Sequence, residues 1–307
     1  MFKKSKLISM MIQAYALNLL IFIGIYIILA ASLNLALGYT GLLNLGHVAF
    51  FAIGAYTSAL LTQASFTPFG FKIPFLIALL CAGILASVFG LLLVLATRKL
   101  KGDYLALTTL GFSFVISSLL INWQSLTRGP LGITGITKPL IFGILIKSNL
   151  SFFIFTAIIC ILSLLIIYGI VHSPFGRLLQ ALRDDELGLS VLGKNTTLLK
   201  IQVMMISAFF AAIAGSLFAH YITYIDPSSF TIPEIVLLLT IVIVGGIASL
   251  KGTILATVIL FIIPEVLRFV HLSSSIIGPL RQILYAVLLL AILLLRPKGI
   301  FGQVDLQ

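Results

Sequence analysis

Along nearly its whole length the chain repeats one pattern, an apolar run of about 20 residues closed by a short polar or glycine-containing break. A run of that length matches the roughly 30 Å hydrocarbon layer of a bilayer when it is helical. The runs lack the alternation of a barrel strand, and in lipid each must satisfy its own backbone hydrogen bonds, so they are helices. They fall at about 74–96, 104–122, 149–171, 201–222, 233–248, 252–270 and 280–295, and at least two more precede residue 64. The expected fold is all-α: a polytopic helical bundle of about nine to ten transmembrane helices, forming one integral domain over residues 1–307.

Composition closes off the soluble alternative. The chain is 61% hydrophobic and only 9% charged, with a mean hydropathy of +1.24, whereas a soluble domain is about a quarter charged. The apolar stretch after Lys3, Lys4 and Lys6 is too long for a signal-peptide core and has no convincing small-residue cleavage site, so it reads as a retained span. Cys81 and Cys160 fall inside predicted spans and read as packing residues rather than a disulfide or metal pair.

Basic residues set the orientation. Placing the N-terminus, the loop with Arg98, Lys99 and Lys101, the 172–200 loop, Lys251 and the tail with Arg296 and Lys298 inside gathers most of the 19 basic residues on one face. That is the positive-inside bias, and it accounts for the net charge of +11 without nucleic acid. A parity conflict remains: residue 46 should lie inside, so a lysine-rich inside N-terminus would force residues 7–46 to leave and return with almost no loop. Either the N-terminus is outside, or the region is broken. Asn34, Gly38, Tyr39, Thr40, Gly41, Asn44, Gly46 and His47 favour a broken segment over about 34–47, because lipid cannot satisfy such groups.

The one long polar interruption is Ser173–Lys200, which holds three of the eight acidic residues, Asp184, Asp185 and Glu186. Pro174 opens a segment in which Leu178, Leu179, Leu182, Leu189 and Leu192 form an apolar face while Arg183, Asp184, Asp185 and Glu186 stay solvated. A short amphipathic helix of this kind suits a groove on a soluble partner, and a plain solvated loop is the competing reading. Gly188, Gly193 and Lys194 mimic a phosphate-binding loop, but Asn195 replaces the hydroxyl residue and no buried strand precedes it. Elsewhere, Ala82, Ala86 and Gly90, and Ala211, Gly215 and Ala219, form small-residue faces for helix packing. Glu265 and Arg268 are spaced to pair on one helix face, Pro264 to kink that helix, and Glu234 to sit at a helix N-terminus. Asp226 reads as a turn former, and the glycines of the 123–147 loop as turns.

Six ordered blocks resemble the LivM/LivH-type permeases of ABC importers for branched-chain amino acids. They are SLNLALGYTGLLNLGHVAFFAIGAY at 32–56, GDYLALTTLGF at 102–112, TRGPLGITGI at 127–136, SPFGRLLQALRDDELGLSVLGKN at 173–195, VGGIASLKGTILA at 244–256 and RPKGIFG at 296–302. The GDY and RPKG blocks look closer to the LivM half. The resemblance implies a non-enzymatic permease subunit without cofactor or metal, in a bacterial inner membrane. It also implies a homologous second permease, two cytoplasmic ATPase subunits and an extracytoplasmic binding protein as partners.

On the same resemblance, residues 173–195 are the segment that couples to the ATPases, with Arg177, Arg183, Asp184, Asp185, Glu186 and Gly193 as its key positions. Asn34, Gly41, Asn44, His47, Thr108 and Thr109 are candidates for the translocation pathway. For His47, structural packing competes with that role; for the threonines, bonds to their own helix carbonyls do. The implied cargo is leucine, isoleucine or valine, with urea, short amides and other amino acids as alternatives. An ion-coupled secondary transporter is the rival class, for which Glu265 is the candidate coupling residue. An intramembrane enzyme finds no support, since neither HExxH nor GxSxG occurs.

Overall fold

A computed structural model describes residues 2–63, 73–100, 102–141, 144–146, 148–268, 274–296 and 298–302, with backbone only for 2–12, 141, 144, 266–268 and 274–277. The elements run α1 (Phe2–Thr40), α2 (His47–Thr62), α3 (Phe75–Thr97), α4 (Gly102–Asn122), α5 (Gln124–Thr127), β1 (Ile133–Thr134), β2 (Leu140–Ile141) and β3 (Ile144–Leu145). There follow α6 (Asn149–His172), α7 (Pro174–Asp184), α8 (Glu186–Val191), α9 (Thr196–Ile222), β4 (Tyr224–Ile225), α10 (Ile232–Gly245), α11 (Leu250–Arg268) and α12 (Ser274–Leu295). Among the described residues, seven helices are long and apolar enough to cross a membrane: α1, α3, α4, α6, α9, α10 and α12. The apolar α2 is shorter, at 16 residues.

Helix α9 is the axis of the bundle, packed against α1, α2 and α3. Its small residues admit the neighbours at backbone distance, as the sequence pattern anticipates. A Cβ on Gly215 would strike the carbonyl oxygen of Phe51, and one on Gly54 would strike the backbone of Ala212. Toward α3, Gly90 sits where a Cβ would lie 3.1 Å from the Met204 carbonyl oxygen. Phe50, Phe51, Met204 and the α1 run Ile21, Ile25, Ile28 and Leu29 fill the centre and are almost fully buried.

The two ends of the bundle differ. At one, β1 pairs antiparallel with β4, matching Ile133 with Ile225 and Thr134 with Tyr224. Gln63 at the end of α2 donates to the Thr134 carbonyl at 3.2 Å there. Asp226 receives the Ser229 N–H at 3.2 Å, the turn role expected of it. The other end holds the α1–α2 link, the α3–α4 turn, α7, α8 and the α10–α11 turn.

One expectation is corrected, and another falls in part outside the described residues. The N-terminal region does not leave and return: α1 is one helix from Phe2 to Thr40, because the apolar run outlasts the weak breaking tendency of Asn34 and Gly38. The break is confined to 41–46, and His47 already begins α2. Glu265 pairs with Arg281 of α12 at 3.5 Å, while the Arg268 side chain lies outside the described residues.

The α2–α9 contact yields a test. Gly215→Leu should destabilise the detergent-purified chain by about 1–3 kcal/mol or abolish its folding, since the backbone must separate to admit the side chain. Gly169→Leu, at a helix position with open space around it, should unfold within a few degrees of the parent. Equal melting temperatures for the two would contradict the packing described.

Candidate functional site

The polar residues of the first two helices and the 173–195 segment come together at the α7–α8 end. Three side chains cut the polar segment into helices. Ser173 accepts from the Gly176 N–H and precedes Pro174 at the start of α7. Asp185 stops α7 and accepts from the Gly188 N–H at 2.9 Å to start α8. Asn195 accepts from the Leu198 N–H at 3.0 Å to start α9. Ser, Asp and Asn favour this position because a short side-chain oxygen reaches the unpaired N–H groups of the first turn.

Within this unit Leu179, Leu182 and Leu189 turn inward and are buried, as expected. Leu192 does not: it is 77% exposed, next to Val191 at 85% and Leu187 at 69%. The expected apolar face assumed one continuous helix, whereas the break at Asp185 restarts the helical phase. Arg183 also departs from expectation. Its side chain is only 15% exposed, and Nη1 donates to the carbonyl oxygen of Gly38 near the end of α1 at 3.0 Å. Nε donates to Asp184 at 2.9 Å. Glu186 receives the Lys200 ammonium of α9 at 2.6 Å. Asp184 stays 65% exposed, Arg177 is exposed, and Gly193 holds a left-handed backbone, φ +76°, after α8. The unit is therefore tied to α1 and α9 by charged contacts and to α6 through Ser173.

Gly41 explains how α1 ends where Arg183 grips it. Its φ of +70° lets the Leu42 N–H fold back to the Ala36 carbonyl at 3.2 Å, and the Arg183 stem packs over it. Beyond it, Asn44 accepts from the Gly46 N–H at 3.0 Å, and Leu45 donates its N–H to Thr109 Oγ1 at 3.0 Å. His47 Nε2 lies 2.8 Å from Ser32 Oγ. Asn34 holds the α10–α11 turn: its Oδ1 accepts the Ala248 N–H at 3.1 Å, and its Nδ2 donates to Thr253 Oγ1 at 2.7 Å. Ala248 has φ +59°, an uncommon left-handed state for a residue with a Cβ that the Asn34 bond helps to hold.

Asn34, Asn44, His47 and Thr109 are at most 2% exposed, so the geometry here is a packed, hydrogen-bonded joint. Thr108 and Thr109 do not share a face. Thr109 braces the joint, whereas Thr108 is exposed and donates to its own helix at the Tyr104 carbonyl, 2.8 Å away. Sequence reasoning missed Gly38 as an acceptor, Lys200 as a partner and Leu187 with Val191 as an exposed pair; the i,i+4 spacing of the last two was the available signal.

The bundle and its capped polar unit define a multi-pass membrane protein. Residues 15–294 match the model of the branched-chain amino acid transport system / permease component family. The chain belongs to that family, whose members are transport permeases. It is 35% identical to the high-affinity branched-chain amino acid transport system permease protein LivM of Salmonella typhimurium, over 90% of this chain and 67% of that protein. It is 27% identical to the probable LivM permease of Methanocaldococcus jannaschii, covering 93% and 92%, and 26% identical to LivH of Escherichia coli, covering 92% and 92%. The higher identity to the Salmonella LivM agrees with the LivM-like blocks. No solved structure matches the chain.

Asn34→Ala should lower the unfolding free energy by about 1–3 kcal/mol, because buried partners on α11 and its turn lose their bonds. Thermal unfolding of the purified chain measures this. A change within about 0.5 kcal/mol, the range of an unremarkable surface substitution, would show that Asn34 does not hold the turn.

Proposed function

We propose that the chain is one half of the translocation path of an ABC importer that moves leucine, isoleucine or valine inward, driven by ATP hydrolysis on partner subunits. The observation that carries this is the α7–α8 unit in a chain of this family: a capped, charge-anchored helical pair presenting Leu187, Val191 and Leu192 outward. An apolar knob beside the exposed Asp184 and Arg177 suits a groove on a soluble protein. The partners in this reading are a homologous second permease, two cytoplasmic ATPases and an extracytoplasmic binding protein, and the location is a bacterial inner membrane.

The reading takes the α7–α8 end as cytoplasmic, supported by the basic residues Arg98, Lys99, Lys194, Lys251 and Lys298 gathered there. Counting α2 and α11 with the seven long apolar helices gives nine crossings, an outside N-terminus and an inside C-terminus. In this reading the N-terminus lies outside despite its lysines. Urea, amides or other amino acids remain the alternative cargoes within the same mechanism. Glu265, the carboxylate an ion-coupled carrier would use, sits against Arg281, which favours a structural role.

Of the six coupling positions, Arg183, Asp185 and Glu186 act through internal anchoring in this reading, and the docking contact falls on α8. The pathway residues Asn34, Gly41, Asn44, His47 and Thr109 form the joint that moves when the unit moves; Thr108 on the open face of α4 is the one positioned to meet solute. Leu187→Asp combined with Val191→Asp should cut ATP-driven leucine uptake by the reconstituted transporter at least about tenfold with the chain still inserted, the scale on which lost interface anchors act. Asp184→Asn should stay within about twofold, as for an exposed ion pair. Full uptake by the double variant, or uptake by the chain alone on an ion gradient, would contradict the proposal.

A further inference from the structure

At the β1–β4 end a cavity of about 600 Å³ opens between α1, α10, α11 and α12, within the 300–1,000 Å³ typical of small-molecule pockets. It lies far from the α7–α8 unit along the helices and contains none of the joint residues. Its walls are of two kinds. Phe22, Leu237 and Phe261 supply an apolar side, and Glu234, Glu265 and Arg281 supply a charged one.

Glu234 and Arg281 keep unused hydrogen-bonding capacity on the charged side. Glu234 Oε2 accepts the Tyr26 hydroxyl at 2.7 Å, and no described residue donates to its other oxygen. Arg281 meets Glu265 only at 3.5 Å, longer than the about 2.7–2.9 Å of a good charge-assisted bond. Its Nε–H is withdrawn from solvent and has no hydrogen-bond partner among the described residues. Ionised groups at membrane depth are costly unless paired, so the open oxygen of Glu234 and the unused Nε–H of Arg281 mark a ligand site beside the Glu265–Arg281 pair. The open oxygen of Glu234 favours an ammonium there. The unused Arg281 donor favours an anionic oxygen beside it, and the aromatic wall favours an aliphatic stem.

We infer that this cavity binds a zwitterion with a primary ammonium and an anionic oxo group on an apolar stem: a free aliphatic α-amino acid or the headgroup of an aminophospholipid. The ammonium donates to Glu234, and Arg281 Nε donates to the carboxylate or phosphate. The inference takes only the ligand class from the transport reading, and its site lies within this one subunit.

The test uses the purified full chain in nanodiscs of phosphatidylcholine alone, whose quaternary ammonium has no N–H to donate. Radiolabelled leucine should bind saturably, and N-acetylleucine and leucinamide, each lacking one charge, should compete at least about tenfold more weakly, as expected for a lost charged hydrogen bond. Glu234→Gln and Arg281→Gln should each weaken binding by about the same factor; if either fails to fold, the competition series on the parent chain decides alone. The headgroup arm is distinct: no leucine binding, but phosphatidylethanolamine retained through detergent washing by the parent chain and released by Glu234→Gln. Neither leucine binding nor retained lipid, or equal competition by all three leucine compounds, overturns the inference. ATP-driven uptake by the assembled transporter without binding to this chain also overturns it and leaves the transport reading intact; binding without such uptake does the reverse.

Discussion

A polar group at membrane depth must find its partner inside the protein, and the end of α1 is where this chain meets that demand most fully. Asn34 spends its amide on the α10–α11 turn, Thr109 accepts from the link after Gly41, and Arg183 takes the Gly38 carbonyl left free as α1 ends. Three distant parts of the sequence are thereby fixed to one helix terminus. Each contact satisfies a group that lipid would leave bare, so the helices cannot shift independently there. Satisfying the backbone and joining the parts are the same event.

Much of this fold was legible in the sequence. The long apolar runs became the spans, the small residues of α3 and α9 became helix contacts, and Ser173 with Pro174 opened α7. What periodicity cannot carry is the position of a break and the direction of a long charged side chain. Residues 34–40 hold breakers and polar groups yet stay helical, because α10–α11 and α7 supply partners that only the tertiary fold provides. Arg183 looked solvated beside three acids, but its guanidinium reaches α1. Leu192 left the apolar face because Asp185 caps a new helix and resets the phase. Glu265 also meets Arg281 of α12, a contact that spacing along one helix cannot show.

The two ends of the molecule divide the work in the proposed importer. At the α7–α8 end, charge is spent on anchoring: Arg183 to α1, Glu186 to Lys200. Apolar side chains are left to face outward. That arrangement is rigid inside and adhesive outside, as a lever between a soluble motor and membrane helices must be. At the opposite end, the charged groups of α10, α11 and α12 enclose space instead of filling it. Family membership gives the transport role, and the wiring of α7 to α1 gives a physical route by which an external push reaches the bundle.

The most direct measurement is ATP hydrolysis and leucine uptake measured side by side in proteoliposomes holding the full transporter with Arg183→Gln. This substitution removes the charged grip on Gly38 and leaves the outer face of α8 in place. Hydrolysis should persist while uptake per ATP falls severalfold or more, because the unit still docks but no longer pulls α1. Unchanged uptake per ATP would contradict the claim that the Arg183 contact links the docking unit to the membrane helices.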